Sequence, residues 1–361
     1  MVKNITVIAG PCALRSYVHT MQTAQNVAIV RDALQPFGVD VGYRGGAWKP
    51  RTLYYDRKKD EKVFDGVKEK GLEWLAEVAK SYGLFVDSEC MSEMDFRHFE
   101  QHLDAERDNI QIGARTSQAY GLLYAIGGSR FGALLKNPQH GVDVEEAVGS
   151  LQRLRNNRHR IYCIRGQKRS VTPYSENDEA LRIYLESLMN GPFQHPDSRN
   201  VNNIDVISRL RTDSHFSEDG NEIFYDPSHT WGGKTDEIRS LVGRYAVLAI
   251  TDFGYDGILI DVDDSASFAP VDGDQALLTT RRNVDWSHTN YGQLGSLRPY
   301  EGKEPSVIPM TLVDIASELI DYQATQLSIY PEQVALSKRR LEDVKWNPEP
   351  GNGNNDNLNG K

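Results

Sequence analysis

Eight short β-rich runs, each followed by a segment of helical periodicity, constrain the fold of this chain more than any other feature. The runs cover residues 4–10, 39–45, 84–90, 109–114, 132–136, 160–165, 222–225 and 257–262. Between them apolar residues recur at intervals of three and four, as at Leu72, Leu75, Val78 and Ala79, which is the periodicity of an amphipathic helix. Near-continuous apolar strands that alternate with helices indicate a parallel sheet covered on both faces.

The number of strand-helix units predicts the fold class. The helical segments include residues 17–37, 71–82, 94–105, 118–126, 144–156, 204–212, 237–250 and 312–329. Eight such units close naturally into an α/β structure of the (β/α)8 TIM-barrel type, and a doubly wound open sheet is the competing arrangement. The first strand carries no glycine-rich dinucleotide fingerprint, which favours the barrel.

Two connections are much longer than the usual 2 to 6 residues. They cover residues 167–203 after the sixth strand and 263–310 after the eighth. Both are expected at the C-terminal end of the barrel as lids or substrate-selecting walls, with an insertion or an oligomer contact as the alternative. We expect one catalytic barrel domain over residues 1–335 and a C-terminal extension over residues 336–361. The end of that extension, rich in Asn, Gly and Pro, is typical of disorder.

Charge and apolar content exclude some classes of function. The chain has 41 Lys and Arg against 51 Asp and Glu, a formal net charge of -10, so no general affinity for nucleic acid or an anionic membrane is expected. No stretch approaches the roughly 18 apolar residues of a membrane span. Three cysteines, Cys12, Cys90 and Cys163, leave one unpaired and fit a reducing compartment. We therefore expect a cytoplasmic protein.

Cationic side chains gather at the ends of the predicted strands. They are Arg44, Lys49, Arg51, Arg115, Lys136 and Arg165. The C-terminal ends of barrel strands form the active site, and cations that converge there repel one another unless anions lie between them. Arg suits bidentate contacts to phosphate or carboxylate, and Lys supplies a compact charge. Any one of them alone is an ordinary surface or ion-paired residue, but the set predicts anionic ligands.

A second group of polar residues has the chemistry of a metal site. Cys12, His229, Asp261 and Asp272 each lie at or just past the end of a predicted strand. A thiolate, an imidazole and two carboxylates suit a divalent ion such as Mn, Fe, Co or Zn. The alternative is a buried cysteine, a capping histidine and two aspartates that face solvent.

Six pieces of sequence at these strand ends resemble the type I 3-deoxy-heptulosonate 7-phosphate (DAHP) synthases, whose superfamily also holds the 3-deoxy-octulosonate 8-phosphate synthases. They are Ala9-Gly10-Pro11-Cys12, Arg44-Gly45-Gly46-Ala47-Trp48-Lys49-Pro50-Arg51-Thr52, Gln111-Ile112-Gly113-Ala114-Arg115, Leu134-Leu135-Lys136, Cys163 with Arg165-Gly166, and Asp226-Pro227-Ser228-His229. The second piece is highly specific. The pieces occur in the family's order over residues 5–278.

The resemblance implies two substrates, phosphoenolpyruvate and a phosphorylated aldose. Residues implied to bind the phosphate and carboxylate of phosphoenolpyruvate are Arg115, Lys136 and Arg165. Residues implied to receive the aldose phosphate are Arg51 and Thr52, with Arg44 nearby. Lys49 would lie beside the reacting carbons as a proton donor.

The resemblance also implies a metal-assisted reaction. Cys12, His229, Asp261 and Asp272 fall where the family has its metal ligands. Asp226 would bind an aldose hydroxyl or orient a ligand. The aldehyde is polarised by the metal, or by a water on it, while C3 of the enol attacks the aldehyde carbon; water then adds to C2 and phosphate leaves. A homo-oligomer is expected from the family.

Several positions differ from the family's pattern. The ligand on the eighth strand is usually Glu, whereas this chain has Asp261, which would reach the metal from further back or through water. Ser-Pro-Tyr commonly follows the Lys-Pro-Arg-Thr run, where this chain has Leu53-Tyr54-Tyr55, and Trp231 is expected to bring an indole to the mouth of the barrel. No added N-terminal regulatory domain is expected. These changes concern the aldehyde more than phosphoenolpyruvate.

Three functional hypotheses follow. The first is DAHP synthase activity with erythrose 4-phosphate, which opens the aromatic (shikimate) pathway. The second is the same chemistry on a different phosphorylated aldose or on an aldehyde of specialised metabolism. The third is an inactive barrel that binds a phosphorylated metabolite or a protein partner. An aldose panel separates the first two, and loss of phosphate release with every aldehyde would favour the third.

Overall fold

A computed structural model describes residues 4–51, 55–56, 60–141, 143–168, 200–218, 220–231, 236–264, 276–280, 282 and 310–346. Its strands in this part of the chain are β1 (Ile5–Gly10), β2 (Val39–Arg44), β3 (Tyr55–Asp56), β4 (Glu61–Lys62), β5 (Val86–Cys90), β6 (Asn109–Ile112), β7 (Gly132–Lys136), β8 (Arg160–Arg165), β9 (Glu222–Asp226) and β10 (Gly257–Asp261). None of the described helices is long and apolar enough to cross a membrane.

Helices alternate with these strands. They are α1 (Tyr17–Leu34), α2 (Glu69–Tyr82), α3 (Glu93–His102), α4 (Tyr120–Gly127), α5 (Val144–Arg153), α6 (Ile207–Thr212), α7 (Ser214–Glu218), α8 (Ser228–Trp231), α9 (Asp236–Thr251), α10 (Leu312–Leu327) and α11 (Pro331–Arg340). Single helical turns of the 3-10 type cover Gln35–Phe37, Ile204–Val206 and Leu341–Asp343.

Eight of the strands form a closed parallel barrel in the order β1, β10, β9, β8, β7, β6, β5 and β2. The ring closes because β1 pairs on one side with β10 and on the other with β2. All eight predicted strands are present, and the predicted (β/α)8 barrel is confirmed. The small antiparallel pair of β3 and β4 was not predicted, because two-residue strands carry no periodic signal.

The apolar core has two parts. A small cluster fills the barrel interior and consists of Ile8, Leu134, Ile161, Cys163, Phe224 and Leu259. A much larger cluster lies between the outer face of the barrel and its helices. Successive residues of a strand point to opposite faces, so the interior positions of each strand continue from this apolar layer toward the polar residues at its C-terminal end. The functional side chains therefore lie directly above a packed apolar layer in the barrel interior.

Caps define the ends of the helices that flank the site. Ser16 accepts a hydrogen bond from the His19 amide at the start of α1, and Thr311 and Asp314 form a reciprocal capping box at the start of α10. Each supplies acceptors for amides that the first helical turn leaves unpaired.

The expected end of the barrel domain, residue 335, lies within α11 (Pro331–Arg340). Residues 336–346 pack onto the rest of the protein, since Leu341 and Val344 are buried. The domain boundary stays a prediction.

Candidate metal centre and anion-binding site

Three of the four predicted metal ligands come together at the C-terminal end of the barrel. One ligand atom from each of Cys12, His229 and Asp261 lies within 4.8 Å of the other two, and all three residues are buried. Cys12 Sγ is 3.6 Å from Nε2 of His229. They lie at or just past the ends of β1, β9 and β10, which are neighbours in the barrel. Asp272, the fourth predicted ligand, lies outside the described residues.

The backbone at Gly10 brings β1 and β2 unusually close. Gly10 has a φ of +153°, and a Cβ at this position would overlap the carbonyl oxygen of Arg44. Only glycine meets both conditions without strain. The turn that leads to Cys12 therefore lies directly against the end of β2, which brings Arg44 into the same site.

Asp226 orients the imidazole of His229. Its carboxylate oxygens lie 2.9 and 3.1 Å from Nδ1 of His229, and it also accepts a hydrogen bond of 2.9 Å from the His229 amide. This contact leaves Nε2 directed toward Cys12. Burial lowers the pKa of His229 to about 4, although Asp226 acts in the opposite direction. The histidine is therefore neutral at pH 7, which is the form that binds a metal.

Asp226 also binds Lys136. Nζ of Lys136 donates a hydrogen bond of 2.7 Å to Oδ2 of Asp226, and both side chains are buried. Burial alone would raise the pKa of Asp226, but His229 and Lys136 hold it well below its usual range. A single carboxylate thus connects a predicted phosphoenolpyruvate residue to a predicted metal ligand.

Two further buried cations contact Cys12 and Asp261 of the metal group. Nζ of Lys49 is 2.7 Å from Sγ of Cys12. Arg44 forms an ion pair with Asp261 and lies 4.0 Å from Sγ of Cys12. Burial opposes the charge of Arg44, but Asp261, Cys12 and Asp226 together raise its pKa. The contact between Arg44 and Asp261 therefore pairs opposite charges inside the buried centre.

The other predicted anion-binding residues lie at the same end of the barrel but differ in burial. Arg165 ends β8 and is buried, and its amide donates to Oδ1 of Asn137 at 2.6 Å. Arg115 and Arg51 are exposed, in the segments that follow β6 and β2. Thr52 lies outside the described residues. The structure therefore groups Arg44, Lys49 and Lys136 in the buried centre, with Arg51 and Arg115 toward solvent.

Two acidic residues of β5 belong to this region, although sequence reasoning assigned them no role. Asp87 is buried, and neither of its oxygens has a hydrogen-bond partner within the described structure. Burial raises its pKa to about 7 against the opposing charges of Arg44 and Lys136, and Glu89 adds to the increase. A Cβ at Gly113 would overlap the Glu89 carboxylate. The period-two alternation of β5 was the signal that would have placed both side chains inside the barrel.

A run of asparagines just before α6 also holds the site, and it too was missed. Asn200 donates to the carbonyl oxygen of His229, and Asn203 donates to that of Arg165 at 3.5 Å. Asn202 accepts a hydrogen bond of 2.8 Å from the hydroxyl of Tyr225. The end of the long 167–203 connection is thus fastened to both β8 and β9. No periodic signal marks such a segment.

The prediction for Trp231 was wrong. Trp231 is 1% exposed, and its indole donates to the Tyr225 hydroxyl at 3.1 Å and lies against Tyr245 on α9. Because α8 begins directly after Pro227, the indole turns toward the outer helices and away from the barrel mouth. It therefore packs in the core and does not narrow the entrance.

Comparison with known proteins decides the family. The family model of the DAHP synthetase I family matches residues 3–292. The chain belongs to the DAHP synthetase I family. A phospho-2-dehydro-3-deoxyheptonate aldolase from Thermotoga maritima is 32% identical over 274 residues, which cover 75% of this chain and 65% of that relative. The chain thus spans slightly less than two thirds of this relative's length.

Solved structures of family members agree with the barrel. A crystal structure of the DAHP synthase from Thermotoga maritima has a TM-score of 0.54 and 29% identity, over 76% of this chain and 64% of that one. A truncated form of 3-deoxy-D-arabino-heptulosonate 7-phosphate synthase from the same organism has a TM-score of 0.52 and 28% identity, over 76% of this chain and 81% of that one.

Proposed function

We propose that this chain condenses phosphoenolpyruvate with erythrose 4-phosphate to give 3-deoxy-D-arabino-heptulosonate 7-phosphate and inorganic phosphate. One observation carries the proposal: a group of three potential metal ligands lies in direct contact with buried cations at one end of a barrel. A site of this kind suits two anionic substrates, one of which has a carbonyl to be polarised. Membership of the DAHP synthetase I family supports the same reaction.

The cations bind and position the substrates in this proposal. Lys136 and Arg165 are buried, so their contacts to the phosphate and carboxylate of phosphoenolpyruvate are formed with little competition from water. Arg115 completes that subsite from the exposed side. Arg51 and Thr52 receive the aldose phosphate. A role for Arg44 toward the substrates stays a prediction, because its observed partners are Asp261 and Cys12.

A divalent metal fits the donor set of Cys12, His229 and Asp261, with Asp272 as a further ligand. Thiolate, neutral imidazole and carboxylate together suit Mn, Fe, Co or Zn. When bound, such an ion polarises the aldehyde carbonyl. Asp226 keeps Nδ1 of His229 occupied so that Nε2 is the ligand atom. The contact between Lys49 and Cys12 puts an ammonium group beside the metal position, where it can donate a proton to the aldehyde oxygen.

The chemistry balances with these groups, the two substrates and one water molecule. C3 of phosphoenolpyruvate forms a bond to the aldehyde carbon, and the aldehyde oxygen takes a proton. Water then adds to C2, and the bond from C2 to the phosphate oxygen breaks, with its electron pair, as the ketone forms. One proton of this water replaces the proton that Lys49 donated, and the other leaves with phosphate. The main contribution of the protein is to hold two substrates that repel each other at reacting distance.

The second candidate function is the same condensation with another phosphorylated aldose. It is supported by Leu53-Tyr54-Tyr55, which differs from the family's pattern directly after the residues assigned to the aldose phosphate. Cytoplasmic location and homo-oligomerisation stay predictions from composition and from the resemblance.

Phosphate release tests the proposal. The protein is incubated with phosphoenolpyruvate and one member of a panel of four-, five- and six-carbon aldose phosphates, with Mn²⁺ or with chelator. We expect release that requires metal and is fastest with erythrose 4-phosphate. Faster turnover of a longer aldose would support the second candidate. No release with any aldose would contradict the activity and favour an inactive barrel.

A further inference from the structure

A second cluster of metal-binding side chains lies on the outer helices, apart from the barrel mouth. His98 and His102 are four residues apart on α3 and therefore lie on the same face of that helix. Glu69, in the first turn of α2, extends toward both of them. Its Oε1 is 3.1 Å from Nδ1 of His98 and 3.2 Å from Nε2 of His102. One carboxylate oxygen thus lies between two imidazole nitrogens of the neighbouring helix.

The spacing and chemistry of this cluster suit a transition metal. Two histidines at i and i+4 on one helix face are a recurrent zinc-binding arrangement. Zinc binds imidazole nitrogen and carboxylate oxygen at about 2.0–2.2 Å, so ligand atoms on one ion lie about 3.3–3.6 Å apart in tetrahedral geometry. The two nitrogen-to-oxygen distances are slightly shorter than this separation. The two imidazole nitrogens lie more than 4.8 Å apart, so the rings must move closer together to bind one ion.

The three side chains of this cluster are partly exposed. Their exposed fractions are 37% for His98, 23% for His102 and 47% for Glu69, so the cluster lies at the surface, outside the apolar core. Nδ1 of His98 makes no hydrogen bond despite its short distance to Glu69, because the contact is not aligned as one. Its lone pair or proton is therefore not committed to another group. Rotation of the two rings toward each other around an ion completes the site.

We propose that Glu69, His98 and His102 form a second site for a divalent transition metal, independent of the group at Cys12, His229 and Asp261. Two imidazoles and one carboxylate favour Zn²⁺, Cu²⁺ or Ni²⁺ over Mg²⁺ and Ca²⁺, which prefer all-oxygen ligands. A metal here joins α2 to α3. Without a metal the same residues form only a surface ion pair, which contributes about 0–1 kcal/mol to stability.

A tryptophan next to the cluster provides a built-in reporter. The ring of His98 is 6.1 Å from that of Trp48, which stacks on Phe99 at 5.6 Å. Trp48 directly precedes Lys49, whose Nζ contacts Cys12. A paramagnetic ion bound to His98 is therefore close enough to quench the fluorescence of Trp48. A bound metal also restrains the His98 ring, which lies beside Trp48.

Zinc stoichiometry of the full chain tests the proposal. Equilibrium dialysis with Zn²⁺ alone is followed by metal analysis for the wild type, the double variant His98→Gln and His102→Gln, and Glu69→Gln. The matched control is His215→Gln, which removes a histidine that is 74% exposed on α7. We expect the double variant to bind one zinc fewer than the wild type and the control to bind the same number. Glu69→Gln should bind the second zinc with at least about tenfold lower affinity.

Two further results separate this site from the barrel site. Cys12→Ala should lose one zinc and keep the zinc of the outer helices. Quenching of tryptophan fluorescence by Ni²⁺ should be reduced both in the double histidine variant and in Trp48→Phe. The wild type and the double variant should have the same thermal unfolding midpoint without metal, which shows that the variant is folded. Equal zinc content in these two proteins would overturn the proposal. Loss of all zinc binding in Cys12→Ala would overturn it as well.

Discussion

Replacing Asp226 with asparagine separates the two tasks of the most connected carboxylate in the site. Asp226 is fully buried, accepts a hydrogen bond from Lys136 and holds Nδ1 of His229. Asparagine keeps the size of the side chain and one acceptor oxygen but removes the negative charge. The change should therefore lower stability through Lys136 and lower metal affinity through His229.

The size of each effect follows from these contacts. Breaking a buried ion pair from one side costs about 3–5 kcal/mol, because the other charge stays buried. Unfolding entropies of about 2.1 cal/mol/K per residue, applied to a chain of 361 residues, convert that cost to a decrease of about 4–7 °C in Tm. Loss of the partner that orients a metal-binding histidine lowers metal affinity about 10- to 100-fold.

Asp108 provides a matched control for this experiment. It is also fully buried, but its oxygens bind Arg107 and backbone amides near the opposite end of the barrel. Thermal unfolding without metal and calorimetric titration with Co²⁺ are measured for Asp226→Asn and Asp108→Asn. Both variants should unfold at lower temperature, and only Asp226→Asn should bind Co²⁺ more weakly. Unchanged Co²⁺ affinity in Asp226→Asn, or an equal loss in Asp108→Asn, would refute the orienting role.

Four other substitutions test separate parts of the site. Burial raises the pKa of Asp87 to about 7, so between about pH 4 and pH 7 the folded chain keeps a proton that the unfolded chain has lost. The stability of the wild type therefore falls as the pH rises through this range. The Tm of Asp87→Asn relative to that of the wild type should increase from pH 5 to pH 8, and a constant difference in Tm would contradict this. Cys12→Ala should lower metal content and phosphate release together while leaving the circular dichroism spectrum unchanged, and full metal content would exclude the thiolate as a ligand. Lys49→Met should lower kcat about 10²- to 10⁴-fold with metal still bound, whereas an unchanged kcat would exclude its role as proton donor. Asn200→Ala leaves a buried carbonyl oxygen without its donor, so it should cost about 1–3 kcal/mol in urea unfolding, and an unchanged midpoint would contradict that contact.

The barrel strands of this fold were predictable because each of them is a short run of apolar residues, a signal that is local in the sequence. The eight apolar runs match the eight barrel strands, with ends that differ by at most two residues, since the last residues of a run are decided by pairing with neighbours. For example, the run predicted over residues 222–225 extends to Asp226, which pairs with Arg165 across the sheet. The charged residues at the strand ends could be located for the same reason.

Contacts that depend on three-dimensional packing could not be predicted. Nothing in the sequence says that Arg44 pairs with Asp261 or that Lys49 contacts Cys12, because these partners are far apart along the chain. Trp231 shows the same limit: its position after His229 indicated the barrel mouth, but the direction of the short helix α8 sends the indole into the core. The cluster on α2 and α3 likewise depends on how two helices pack.

The fate of oxygen atoms from water tests the central claim, that phosphoenolpyruvate is joined to an aldose with water adding at C2. The reaction is run in water enriched in ¹⁸O with phosphoenolpyruvate, erythrose 4-phosphate and Mn²⁺, and the released phosphate is examined by mass spectrometry. Breakage of the bond between C2 and oxygen predicts unlabelled phosphate, formed together with a seven-carbon sugar acid. Phosphate that carries one ¹⁸O atom, without the seven-carbon product, would show attack of water at phosphorus and would contradict the proposed function.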